Sequence, residues 1–155
     1  MNMRLLSVLG ALIALVLLTL SCGGTEGDII NVPVKITNAT DIGAVAFDLV
    51  YNPYVLTVTE VKVDELAIRA EAGFNINTPG RIYIVVQNGP PINGDGILIR
   101  AYFKVLDYAG TSTLTLENIL ARNVVTLQYV DTQSSSGNFV AAGMTVTPPV
   151  IDFSQ

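Results

Sequence analysis

The chain of 155 residues contains no histidine and no tryptophan, a single cysteine, and only 14% charged residues. Without histidine there is no Ser-His-Asp or Cys-His nucleophile pair, no imidazole metal ligand and no histidine pH switch. One cysteine, Cys22, cannot close an internal disulfide, so the fold has to hold by its core alone. Eight scattered basic residues stand against thirteen acidic ones, for a net charge of -5. Neutralising phosphates needs clustered Lys and Arg, so nucleic acid is not an expected partner. Gly-rich phosphate cradles and serine-elbow motifs are missing too. The densest acidic group, Glu60, Asp64, Glu65 and Glu71, reads as solvated surface rather than as a carboxylate pair for glycoside hydrolysis. The stretch NGDG (93–96) lacks the pattern of a calcium loop and reads as a turn. No catalytic residue, metal site or cofactor is expected.

Half of the residues are hydrophobic, the composition of a folded chain. The longest apolar run lies near the start, at residues 5–20 (LLSVLGALIALVLLTL), behind a short positive segment ending at Arg4. It falls short of the roughly 20 residues of a spanning helix and reads as the helix of a secretory signal. Ser21 and Cys22 follow it, then GGTEG. This resembles a bacterial lipoprotein lipobox, although Thr19 stands where that pattern prefers an aliphatic residue. The resemblance implies that residues 1–21 are a signal peptide and that Cys22 becomes an acylated N-terminus. Residues 22–28 would then be a flexible tether, and the domain would be extracytoplasmic, held to a membrane by lipid.

From residue 29 onward the helical period disappears and short alternating segments rich in Val, Ile, Thr, Tyr and Phe take over, separated by Gly, Pro, Asn and Asp. Strands are predicted at 29–37, 43–51, 55–63, 73–77, 81–88, 97–106, 111–117, 123–131 and 138–147, with a possible helical turn in 63–73. About nine strands with such spacing imply an all-β, antiparallel sandwich over residues 29–147, followed by a C-terminal tail at 148–155. The period of two assigns faces. Val45, Phe47 and Leu49 point inward, leaving Ala44, Ala46, Asp48 and Val50 outside. Ile82, Ile84 and Val86 point inward, leaving Arg81, Tyr83 and Val85 outside, and Leu98, Arg100 and Tyr102 are assigned outward on the next strand. Since GPPINGDG links 81–88 to 97–106, the two are predicted to pair as a hairpin. Tyr83 would then face Tyr102 and Val85 would face Arg100, forming an exposed aromatic and basic patch.

Four stretches in this order, GAVAFDLVYNPYVLTV (43–58), GRIYIVV (80–86), GDGILIRAYFKVL (94–106) and TSTLTLENI (111–119), resemble a bacterial cohesin domain of the cellulosome type. The carrying elements are F-x-L-x-Y-[DN]-P-x-x-L and the later G-x-x-x-x-x-x-F-x-V strand, and the likeness spans about residues 28–147. It implies a jelly-roll sandwich of about nine strands, related to carbohydrate-binding modules. It further implies a non-catalytic role in gripping dockerin modules, with calcium on the dockerin side, often on polysaccharide-degrading enzymes. In that family the dockerin plateau lies on the strand matching 43–51, flanked by those matching 97–106 and 123–131. Asn and Asp are usual at the places of Ala44 and Ala46, so a hydrogen-bonding pair is missing here. The candidate partner-binding residues are Ala44, Ala46, Asp48, Val50, Arg81, Tyr83, Val85, Arg100 and Tyr102. Direct polysaccharide binding through the tyrosines and a structural role in the envelope are the alternatives.

Overall fold

A computed structural model describes residues 27–154. The signal segment 1–21, Cys22 and the tether as far as residue 26 lie outside the described residues. Ten strands follow in order: β1 (Ile29–Val50), β2 (Leu56–Val63), β3 (Glu71–Thr78), β4 (Arg81–Gln87), β5 (Ile92–Val105), β6 (Thr111–Asn123), β7 (Gln133–Ser135), β8 (Gly137–Val140), β9 (Thr145–Thr147) and β10 (Val150–Asp152). Short 3-10 turns at Glu65–Ala67 and Ala141–Gly143 interrupt them, the first begun by the Asp64 carboxylate accepting from the Glu65 N–H. The fold is the expected all-β jelly-roll sandwich.

The sandwich is organised around β1, which the sequence suggested as two strands. Its first part pairs with β5 on one side and β10 on the other, and its second part pairs with β4 and β6. One layer therefore runs β2-β5-β1-β10-β7 and the other β3-β4-β1-β6-β8-β9. Between them lie Val32, Val34 and Ile36 from the first part of β1, Val45, Phe47 and Leu49 from the second, and Ile82, Ile84, Phe103, Leu114 and Phe139, all without exposed surface. Tyr51 meets Phe103 edge-to-face with 4.9 Å between ring centroids, the quadrupole-favoured arrangement.

The change of layer happens where β1 takes left-handed backbone at Asn38 (φ 58°) and Asp41 (φ 53°), residue types that tolerate it. The freed N–H groups are satisfied by β5. Asn38 donates to the Asp95 carboxylate at 2.7 Å, and Asp41 donates to Asn93 Oδ1 at 2.9 Å. NGDG is thus not the expected turn. It is the first part of β5, with Gly94 at φ +82° where a side chain would be strained.

Several other expectations are corrected. Residues 81–88 and 97–106 do not form a hairpin: β4 pairs with β1 and β3, and β5 with β1 and β2, so the connection crosses between layers. Leu98, assigned outward, is fully buried, because a bulge pairs Val34 with Ile99 and Lys35 with Ile97 and leaves Leu98 out of step. The segment 123–131 is mostly loop, retaining one bridge between Arg122 and Tyr129. Residues 138–147 are β8 and β9 joined by a 3-10 turn. The tail is also part of the sandwich. Strand β10 lies parallel to β1, with Ile151 fully buried and Phe153 4% exposed.

Asp152 fastens that last strand. Its carboxylate accepts from the Asn38 amide (2.9 Å), the Thr37 hydroxyl (3.1 Å), and the Ser154 N–H and hydroxyl (2.9 Å each). These bonds, the one from Asn38 foremost, hold its pKa at about 2 against an ordinary 3.8.

Two outcomes follow for stability. Ile151→Ala is expected to cost about 2–5 kcal/mol in urea unfolding, as a core truncation does, while Ile29→Ala, at an exposed position, stays within about 0.5 kcal/mol. A depressed carboxylate stabilises the fold above its unfolded pKa and loses that contribution as the pH falls through its folded value. The urea midpoint of the natural chain should therefore fall more between pH 3.8 and about 2 than that of Asp152→Asn. Parallel curves would show that Asp152 is not the group responsible.

Candidate protein-binding face

The second part of β1 alternates with its inward residues buried, so Ala44, Ala46, Asp48 and Val50 turn to the outer side of the layer. Its neighbours are β4 and β6, not the strands matching 97–106 and 123–131. Four rows cross the face. Ala46 lies between Val85 and Leu120, and Ala44 is beside Arg122 at the next level. Asp48 lies between Tyr83 and Glu117, and Val50 between Arg81 and Thr115. On the far side of β4, Asn75 pairs with Tyr83 and Gly73 with Val85. Small residues in the centre and at Gly73 leave this surface low. Tyr83 (49% exposed) and Leu120 (58% exposed) stand above it.

One charged cluster borders the apolar rows. Arg81 spans two carboxylates, donating from Nη1 to Asp48 Oδ2 at 2.6 Å and from Nη2 to Glu117 Oε2 at 2.7 Å. The Asn118 amide donates to the same Asp48 oxygen at 2.7 Å. Asp48 is 7% exposed and is held by these donors, so it positions Arg81 more than it offers a free acceptor. Glu117, then Asp48, raise the Arg81 pKa above its ordinary value, keeping the guanidinium charged at every practical pH.

Leu120 escaped the sequence reading. Leu114 and Leu116 point inward, and an unbroken alternation would send Asn118 and Leu120 inward as well. A bulge prevents this: β6 spends an extra residue between Glu117, opposite Asp48, and Leu120, opposite Ala46. Asn118 takes left-handed backbone there (φ 52°), turning its amide to Asp48 and Leu120 to the surface. The available signal was a polar Asn in an inward phase, at a residue type suited to positive φ.

The loop after β6 closes one end of the face. Asn123 Oδ1 accepts from the N–H groups of Val125 (2.8 Å) and Thr126 (2.9 Å), and Asn123 Nδ2 donates to the Thr40 carbonyl. This side-chain turn competes with strand geometry and explains why 123–131 is not a strand. Val124 lies over Gly43, where an added Cβ would sit 1.9 Å from its Cγ1. A notch of about 250 Å³ results, lined by Ala44, Arg122, Val124 and Leu127.

Arg100 and Tyr102 stand elsewhere. They are on β5 in the other layer, where Arg100 pairs with Asp64 and donates to Asn31, and Tyr102 is opposite Asn31 and Glu60. Lys62 lies 5.4 Å above the Tyr102 ring. Ala44, Ala46, Asp48, Val50, Arg81, Tyr83 and Val85 share one face, and the proposed Tyr83–Tyr102 pair is not formed.

A jelly-roll sandwich presenting a low, largely apolar sheet face with a charged border has the form of a binding module. The family model of the cohesin domain matches residues 20–146, and the chain belongs to this family. Cohesin domains are non-catalytic modules that bind dockerins in cohesin–dockerin complexes. Solved structures agree. A non-cellulosomal cohesin from the hyperthermophilic archaeon Archaeoglobus fulgidus is 27% identical, covering 84% of each chain, with a TM-score of 0.62. The cohesin CaCohA2 of Clostridium acetobutylicum, in a complex, is 25% identical over 74% of this chain and 90% of its own, with a TM-score of 0.66. A type I cohesin–dockerin complex from Clostridium thermocellum shares the fold at 13% identity, over 82% of this chain and 86% of its own, with a TM-score of 0.63. No curated protein sequence matches the chain.

The bulge makes a specific demand. Asn118→Ala should lose about 1–3 kcal/mol in urea unfolding, from the left-handed backbone and from a hydrogen bond taken off a buried carboxylate. Asn118→Gly, which relieves the backbone but not the bond, should lose less. Equal losses would place the whole effect in the hydrogen bond.

Proposed function

We propose that the β3-β4-β1-β6 face binds the calcium-loaded dockerin of another extracytoplasmic protein, and that acylated Cys22 holds the domain at a membrane. The observation that carries the first part is the apolar row Val85-Ala46-Leu120 beside Tyr83, on the sheet face left open by the sandwich. Membership of the cohesin family supports it. With alanine at 44 and 46, the partner is recognised by apolar burial around Leu120 and Tyr83, and Arg81 supplies the polar border. The second part rests on the sequence alone, from the apolar run, Ser21 and Cys22. The A. fulgidus relative is a non-cellulosomal cohesin, which favours a single tethered receptor over a large scaffold. Recruitment of polysaccharide-degrading enzymes is the corresponding role. Direct sugar stacking on Tyr83 and Tyr102 loses its support, because the two rings stand in different layers.

Calorimetric titration with the dockerins encoded in the same genome, with calcium and with chelator, tests the face. At least one dockerin should bind with calcium, and Tyr83→Ala and Leu120→Ala should each weaken it about tenfold, the loss typical of an interface anchor. Arg100→Ala and Tyr102→Ala should leave affinity within about twofold, a change of under half a kcal/mol. Absence of binding to every dockerin would sink the reading. For the tether, Cys22→Ala should move the protein from the membrane fraction to the soluble fraction; retention in the membrane would rule out lipid as the anchor.

A further inference from the structure

At the end of the sandwich, on the other side of the 123–129 loop, lies a cleft of about 800 Å³ outside the face proposed for the dockerin. It opens between the crossing of β1, the loop after β6 and the chain beyond β10. Asn38, Thr40, Thr126, Gln128, Tyr129 and Ser154 line it, with buried Ile42 and Phe153 at its base. The size is that of a small-ligand site.

Among the described residues, none that lines the cleft carries a charge. The nearby Asp152 carboxylate is already engaged by Thr37, Asn38 and Ser154. A phosphate or a carboxylate group would therefore enter beside an ionised Asp152 with no cation to offset either charge, which disfavours anionic ligands. What the cleft does offer is amides and hydroxyls that both donate and accept. The Gln128 amide and the hydroxyls of Thr40 and Tyr129 have no side-chain partner among the described residues. Tyr129 adds an aromatic ring, 76% exposed, at the rim. The backbone that carries it is fixed in advance. The Asn123 side chain pins the turn, Asn123 N–H donates to the Gln128 carbonyl at 3.0 Å, and Val130 N–H donates to the Ala121 carbonyl at 3.0 Å.

A ligand with many hydroxyls, no charge and an apolar ring face matches all of these features. We propose that this cleft binds a neutral oligosaccharide, with Tyr129 stacking on a sugar ring and Gln128 and Thr40 hydrogen-bonding its hydroxyls. The cleft and the dockerin face share only the loop after β6, so the two proposals can succeed or fail separately.

Calorimetry on the full chain, solubilised in a zwitterionic detergent without sugar headgroups, tests this. The probes are cellohexaose, xylohexaose and mannohexaose, with oligogalacturonate as the charged control. At least one neutral sugar should bind, and oligogalacturonate should not. Tyr129→Ala should weaken that binding about tenfold, a typical stacking contribution, and Gln128→Ala should weaken it measurably. Tyr83→Ala should leave it unchanged. Both cleft positions are exposed, so an unchanged urea midpoint will show that the variants fold. The proposal is overturned if no neutral sugar binds up to roughly 10 mM. Binding unaltered by Tyr129→Ala overturns it as well. So does a natural chain that binds no sugar while Tyr129→Ala loses dockerin affinity, which would give the cleft to the protein partner.

Discussion

The transfer of β1 from one layer to the other is the constraint on which the remaining structure depends. A single strand supplies the middle of both sheets, so every other strand is placed relative to it. The transfer requires positive φ at Asn38 and Asp41, and it leaves their N–H groups without ladder partners. Asp95 and Asn93 of β5 supply those partners, and β10 closes against the same bend through Asp152. Corners in sandwiches are commonly made this way, by strands that change sheets at bends or bulges. Here the corner is stabilised by short polar side chains rather than by glycine, and chain segments far apart in sequence all meet at it.

The outer face of the second layer inherits its character from two further departures from regular pairing. The bulge at Asn118 reverses the phase of β6, sending Leu120 outward and an amide to Asp48. The Asn123 turn stops β6 and leaves Leu127 exposed at the edge of the notch. In both places an Asn side chain or its tolerance of left-handed backbone overrides the period of two. The apolar surface is thus a consequence of local backbone chemistry as much as of composition.

This explains what could be read in the sequence and what could not. The sandwich was legible because Val45, Phe47, Leu49, Ile82, Ile84 and Val86 alternate cleanly, and their outward neighbours share a face as alternation requires. Strand pairing was not legible. A short Gly- and Pro-rich link such as GPPINGDG suggests a hairpin, but Asn93 and Asp95 served β1 rather than a turn. A hairpin there would set Arg100 and Tyr102 beside β4, whereas they stand in the other layer. The tail is not legible for a related reason: three residues give no period, and the burial of Ile151 and Phe153 depends on a parallel partner more than a hundred residues away.

The charges on the face also bear on how it selects a partner. Arg81 pairs with both Asp48 and Glu117, and the one negative charge left over is offset by Arg122 at the other end of the face. A surface whose charges are satisfied internally contributes little long-range steering, so association is governed by fit over the low rows at Ala44 and Ala46. Those alanines matter for what they leave open. A polar side chain at either place would bring its own hydrogen-bonding demand, and without one the surface selects by shape and apolar burial between Tyr83 and Leu120. An acidic dockerin would gain little here from opposite charge, and one presenting a compact apolar patch would gain most.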